Sequence, residues 1–235
     1  MSELVLVRHG QASFGEDNYD RLSGTGHRQV AILAGHWQAL GEQFDAIYSG
    51  TLQRQQETAS ALLPLVNGQP ATPLVHPGFN EYDGSPLIAI YLRDHAAVEG
   101  FDPDPVLLAD RRHFQLVFEA ATTKWLNGEL EAREDDIGFE PWRVFTERVH
   151  QAIDEVMQLH PRSKRVLIST SGGVIAVALQ KVLGLPAQQT IATNWMVNNS
   201  SYTRIRYGAG RLSLSQFNAL PHLENKKYRE LITYR

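Results

Sequence analysis

Three consecutive residues raise the first chemical question. Arg8-His9-Gly10 follows directly on an unbroken apolar run, Leu4 to Val7. A run of that kind reads as a buried strand. In a parallel α/β sheet, ligands gather at the carboxyl ends of the strands. A histidine placed there can attack phosphorus. A neighbouring arginine offers a forked donor to phosphoryl oxygens. Gly10 lets the backbone turn sharply and brings its amide close to an anion. Two further segments carry matching groups. Tyr48-Ser49-Gly50-Thr51-Leu52-Gln53-Arg54 puts an arginine in the first turn of a helix that starts after a second short strand, and a helix N-terminus already favours an anion. Phe79-Asn80-Glu81-Tyr82-Asp83-Gly84 puts a carboxylate in a loop, where it can protonate a leaving alcohol. Each piece alone has a plainer reading: a loop histidine, a surface arginine, a solvated acid.

The elements that must position these groups follow from periodicity. Val30, Leu33, Ala34, Trp37 and Leu40 recur at helical spacing after Thr25, a candidate N-cap, and Gly41 is a candidate stop. Ala46 to Tyr48 reads as a strand, Leu52 to Val66 as a helix, and Thr72 to Val75 as a weak strand. Trp142, Phe145, Val149, Ile153, Val156 and Met157 mark an amphipathic helix. Arg165 to Ser169 is the next buried strand, and an apolar helix follows Gly172-Gly173 to about Leu183. Alternation at Tyr202, Arg204 and Arg206, and again at Leu212, Leu214 and Gln216, predicts a hairpin around Gly208 to Gly210. Residues 84–138 differ in texture. Pro103 and Pro105 break them, while Leu107, Leu108, Phe114, Phe118 and Trp125 suggest helices. The expectation is a single domain over residues 1–235, a three-layer α/β/α sandwich on a mainly parallel sheet, with 84–138 as a helical cap insertion.

Composition narrows the partners. The chain has 235 residues, 22 Lys and Arg against 26 Asp and Glu, and a formal charge of −4. A generic nucleic-acid or anionic-membrane binder is usually basic overall, so neither partner is expected. Any anion must meet a local basic pocket. With no cysteines, a disulfide framework, cysteine-ligated zinc, an iron–sulfur cluster and a thiol nucleophile are excluded. The four-residue apolar run near the N-terminus is too short for a signal or spanning segment, and the expected location is cytoplasmic.

Taken together, the segments resemble the histidine phosphatase superfamily, with its phosphoglycerate mutase-like fold. LVRHG resembles its signature, and Leu22-Ser23 with Gly26 and Gln29 resembles the "LS…G…Q" segment that follows. Tyr48 to Arg54 with Thr58-Ala59 is similar to "YSSPLxRAxQTA". Glu140-Pro141-Trp142, Phe145 and Arg148-Val149 are similar to an "ES…F…RV" helix. The resemblance implies a phosphohistidine on His9. Arg8 and Arg54 would hold the phosphoryl oxygens, and Glu81 would protonate the leaving oxygen and then activate water. It implies no metal and no cofactor, and a substrate that is a small-molecule phosphate ester or a phosphoprotein. Gln11 and Ser13, with Ala12 and Phe14, would border the site and help select the leaving group, or equally form a loop packed on the insertion.

One departure matters. Where the resemblance expects a second histidine in "SHGG", the chain reads Ser169-Thr170-Ser171-Gly172-Gly173. A hydrogen bond from imidazole to phosphate is worth roughly 1.5–3 kcal/mol. Losing one that acts in the transition state lowers the rate on the order of 10²–10³-fold. Ser171 keeps a hydroxyl donor and stands where an N-cap belongs, so the amides near Gly172 would face the phosphate. The main expectation is a metal-independent phosphatase, slowed at position 171. The alternatives are a weak or inactive phosphate-binding or regulatory protein on the same scaffold, and a phosphoglycerate mutase-type transferase. The mutase first-loop pattern "RHGxSxWN" is not met by Arg8 to Gly15. Ser171 as a serine-hydrolase nucleophile fails on order: the only downstream histidine, His222, precedes the downstream acids Glu224 and Glu230. Gly24-Thr25-Gly26 has no glycine at position 29 and is not a dinucleotide fingerprint.

Overall fold

The computed structural model describes residues 1–13, 19–68, 70–101 and 110–234. Phe14 and the cap residues Pro103, Pro105, Leu107 and Leu108 lie outside the described residues. Six strands form one sheet: β1 (Ser2–Arg8), β2 (Ala46–Ser49), β3 (Leu74–Val75), β4 (Arg165–Thr170), β5 (Tyr202–Gly208) and β6 (Arg211–Ala219). Their order is β3-β2-β4-β1-β5-β6. The first four are mutually parallel, while β5 and β6 run antiparallel. The mixed sheet is flanked by helices, the α/β layering expected from the sequence.

The apolar run explains the position of β1. Leu4 to Val7 is wholly buried, and side chains alternate between the faces of a strand. Val5 and Val7 pack with Val30, Leu33 and Trp37 of α1 (Gly24–Ala39) and with Ala59 and Leu62 of α2 (Gln53–Leu62). Leu4 and Leu6 face the other way and are equally buried, so both faces of the sheet are covered. Because β1, β2 and β4 are parallel, the segments that leave them emerge along one edge.

Several boundaries differ from the sequence expectation. Ser23, not Thr25, caps α1, because its hydroxyl accepts from the Gly26 amide at 3.0 Å. α2 ends at Leu62 and passes into a 3-10 turn at Leu63–Leu65, where Pro64 cannot continue the hydrogen-bond ladder. The third strand shrinks to Leu74–Val75.

Contacts divide the chain into two compact units: Met1–Glu81 with Arg148–Arg235, and Tyr82–Glu147. Residues 84–138 fall within the second. That unit contains α3 (Gly84–Asp94), α4 (Ala96–Glu99), α5 (Arg111–Asn127) and the first residues of α6 (Trp142–Leu159). Its core is aromatic: Tyr82 stacks on Trp125 at 4.7 Å between ring centres and meets Phe145 edge-on, and Tyr91 and Trp125 are buried. These rings pack the unit. Phe114 and Phe118 stack in parallel nearer its surface. The first unit contains the rest of α6, α7 (Gly172–Leu183) and α8 (Ala187–Asn194). Among the described residues no helix is long and apolar enough to cross a membrane.

Candidate active site

His9 leaves the carboxyl end of β1 and is 5% exposed. Its Nδ1 lies 2.7 Å from the Gly10 carbonyl oxygen. A carbonyl only accepts, so Nδ1 carries the proton. The Arg54 Nε–H donates to Nε2 at 3.2 Å, which requires a lone pair there. Burial, with the positive charges of Arg54 and Arg8 added, holds the imidazole well below its ordinary pKa. The ring is therefore neutral, in one tautomer, and presents Nε2 as a nucleophile.

Arg54 is the second residue of α2. Its Nη1 also meets Asp20 Oδ1 at 2.5 Å, while Asp20 Oδ2 accepts from the Gln53 amide at 2.9 Å. Asp20 thus takes the two donors, an arginine and a helix N-terminus, that an incoming phosphoryl group would use. The sequence reading missed Asp20. It lies 34 positions from Arg54, and no local pattern marks it.

Arg8 donates through Nη1 to the carbonyls of Val197 and Tyr234, the latter at 3.2 Å. Gln29 and Asn199, both buried, tie the C-terminal segment to the same loop. Gln29 Nε2 donates to the Leu231 carbonyl at 2.6 Å, and its Oε1 accepts from the Gln11 amide at 2.8 Å. Asn199 donates from Nδ2 to the His9 carbonyl at 3.3 Å and from its amide to the Thr233 carbonyl at 2.8 Å. Gln11 therefore anchors the loop by its backbone, and its side chain accepts from Ser23. Ser13 is buried, with its amide on the Arg21 carbonyl. Gly10 has no room for a Cβ, which would lie 2.6 Å from the Gly26 carbonyl.

The second cluster forms at β4. The register pairs Arg8 with Thr170, and the His9 amide donates to the Thr170 carbonyl at 2.9 Å, so His9 and Ser171 leave adjacent parallel strands side by side. Glu81 Oε2 accepts from the Gly173 amide at 2.9 Å, at the start of α7. Arg148 fixes the loop before Glu81 by donating to the carbonyls of Gly78 and Asn80, both at 3.1 Å. Gly172 packs against Asn194: a Cβ there would lie 2.4 Å from its Oδ1. Ser171 occupies the N-cap, but its side chain does not cap the helix. It accepts instead from Gln55 Nε2 at 2.8 Å. Gln55, also missed, had one signal: it stands at the alanine of the "LxRAxQTA" pattern.

Basic residues elsewhere serve the scaffold. Arg165 and Arg204 share Glu3 and Glu42, with Arg204 at 3.0 Å from each. That network lies away from the carboxyl ends of the parallel strands.

A histidine behind the site makes a testable contribution. His222 is 3% exposed and holds the Ser200 hydroxyl at 3.0 Å through Nε2. Ser200 in turn donates its amide to the Arg8 and His9 carbonyls. Burial, reinforced by nearby His36, pulls the His222 pKa down to about 3. Below its unfolded value of about 6.5 the unfolded chain binds a proton that the folded chain refuses, so stability is lost as pH falls. The slope is about 1.4 kcal/mol per pH unit for each such histidine, and His9 adds to it in the same direction. Urea unfolding at pH 7, 6 and 5 should show His222→Gln losing less stability than the wild type. Parallel pH slopes would contradict the assignment.

Comparisons with known proteins cover most of the chain. The model of the histidine phosphatase superfamily (branch 1) matches residues 4–88 and 111–220. A 2,3-bisphosphoglycerate-dependent phosphoglycerate mutase of Bartonella quintana (strain Toulouse) is 26% identical over 197 residues, 80% of this chain and 85% of that protein. The structure of a phosphoglycerate mutase from Bacillus anthracis superposes with a TM-score of 0.64 at 17% identity, covering 94% of each chain. A phosphoserine phosphatase from Entamoeba histolytica, in complex with phosphoserine, superposes at 0.63 and 18%, covering 95% of this chain and all of that one.

Proposed function

The chain belongs to the histidine phosphatase superfamily, and on that premise we propose that it hydrolyses a phosphate monoester through a phosphohistidine on His9. The observation that carries this reading is the state of the imidazole: neutral, buried, with Nδ1 on the Gly10 carbonyl and Nε2 facing Arg54. The Nε2 lone pair attacks phosphorus and the bond to the leaving oxygen breaks. Glu81 gives that oxygen a proton. Glu81 then takes a proton from water, the resulting hydroxide attacks phosphorus, and the P–N electron pair returns to Nε2 as inorganic phosphate departs. Arg54 and Arg8 stabilise the equatorial oxygens in both steps. When a phosphoryl group arrives it displaces the Asp20 carboxylate from Arg54 and from the α2 N-terminus. Gln11 and Ser13 hold the loop that borders the leaving group.

A transferase reading draws support from similarity to the phosphoglycerate mutases. The two differ in the acceptor that takes the phosphoryl group. Labelled monoesters, phosphoserine and 3-phosphoglycerate among them, should leave a protein-bound label that is stable in alkali and lost in acid, as a phosphohistidine is. Release of the label as inorganic phosphate supports the phosphatase, and transfer to added glycerate phosphate supports the mutase. No bound label and no turnover with any ester would leave the binding-protein reading.

A further inference from the structure

Three consecutive hydroxyls lead from the last residues of β4 to the cap of α7, and they are used differently. Ser169 donates to the Gln55 carbonyl at 2.8 Å, and Thr170 donates to the Phe79 carbonyl at 2.7 Å. Ser171 accepts instead, from Gln55 Nε2. The same Nε2 donates to the Phe79 carbonyl at 3.0 Å. That carbonyl only accepts, so the nitrogen of the amide is identified by its partner and the direction of the Ser171 contact is settled. Among the described residues the Ser171 proton has no acceptor, although the residue is 1% exposed and stands at a helix N-cap where it could have been used otherwise.

Gln55 is built into this arrangement. It is wholly buried, and its Oε1 has no hydrogen-bond partner among the described residues. Buried polar atoms are nearly always satisfied, so an orphaned carbonyl marks a side chain held for the sake of its other end. Gly50 leaves the space it needs: a Cβ there would lie 1.9 Å from Gln55 Oε1.

The geometry points to Gln55 as the positioning residue that aims the Ser171 hydroxyl at the phosphoryl group bound beside His9. Accepting from an amide polarises a hydroxyl and strengthens it as a donor. With Gln55 on its lone pair, the Ser171 proton is directed away from Gln55 and into the edge where His9 emerges. The pair is a neutral donor that neither gains nor loses a proton across the working pH range, in place of a titrating imidazole. This inference rests on the phosphatase reading above and adds a residue to it.

A double-mutant cycle tests it. Gln55→Met keeps length and approximate volume but removes the donor. Ser171→Ala removes the hydroxyl. Each variant is first checked by thermal melting. Ser171→Ala should lower kcat by about 10²-fold with little change in KM, and Gln55→Met should lower kcat at least about tenfold. The double variant should be no slower than Ser171→Ala, because Gln55 acts only through Ser171. Gln55→Glu, an isostere that accepts the Ser171 proton and reverses the bond, should also be slow. A silent Gln55→Met, or effects that multiply in the double variant, would overturn the proposal. If no ester turns over, calorimetric binding of inorganic phosphate replaces kcat in the same cycle, so the role of Gln55 stands or falls apart from the phosphatase reading. Absence of both turnover and phosphate binding in the wild type overturns both.

Discussion

His9→Ala is expected to lower turnover of an aryl phosphate by on the order of 10⁴–10⁶-fold, the scale seen when a covalent nucleophile is removed. The reason is local. His9 Nε2 lies against the Arg54 guanidinium where β1 ends beside β4, and a guanidinium stabilises charge without attacking phosphorus. The same substitution should leave phosphate affinity within about tenfold, because Arg8, Arg54 and the α2 N-terminus remain. His9→Gln, closer in shape, controls for the cavity left by a buried ring. Steady-state rates and calorimetric phosphate binding, side by side, check both halves. A variant retaining more than a tenth of wild-type turnover would remove His9 from the mechanism.

Glu81→Gln separates the two chemical steps. Gln keeps a carbonyl oxygen for the Gly173 amide, so the loop stays in place. It cannot protonate an alkoxide or deprotonate water. For alkyl phosphates, whose leaving oxygen needs a proton, turnover should fall by about 10²–10⁴-fold. For aryl phosphates with an acidic phenol, the first step needs little help. The variant should release about one equivalent of phenol in a burst and then slow, with the phosphohistidine accumulating. Rapid-quench measurement of phenol against phosphate reads this directly. Equal losses for alkyl and aryl esters, with no burst, would argue that Glu81 orients the α7 terminus and carries no proton.

The acid dependence of stability belongs to the same picture. His9 is kept neutral by burial and by two cations, and His222 by burial. Both are stabilised in the form that acid removes, so the fold weakens on the acid side while the His9 ring stays neutral well into that range.

Much of this was legible along the chain because it rests on local patterns. A four-residue apolar run next to Arg8-His9-Gly10 is enough to predict a buried strand with a histidine at its end. Arg54 at the start of a helix and Glu81 in a loop carry their chemistry in residue type and position. The hairpin at Gly208 to Gly210 was marked by its glycines, and Ala209 and Gly210 do adopt positive φ.

What the sequence by itself determined is most of the strands and helices and the family motifs that contain His9, Arg54 and Glu81, because periodicity and capping act over a few residues. Tertiary structure alone decided the direction of each hydrogen bond around them. Ser171 looked like a helix cap and proved to be an acceptor for Gln55, 116 positions away. Arg54 looked like an anion donor in waiting and is paired with Asp20. Gln11 looked like a site-lining side chain and is a backbone anchor for Gln29. A polar side chain has several possible partners, and which one it takes depends on what the fold buries beside it. A buried group left without a partner there bears the cost of its desolvation.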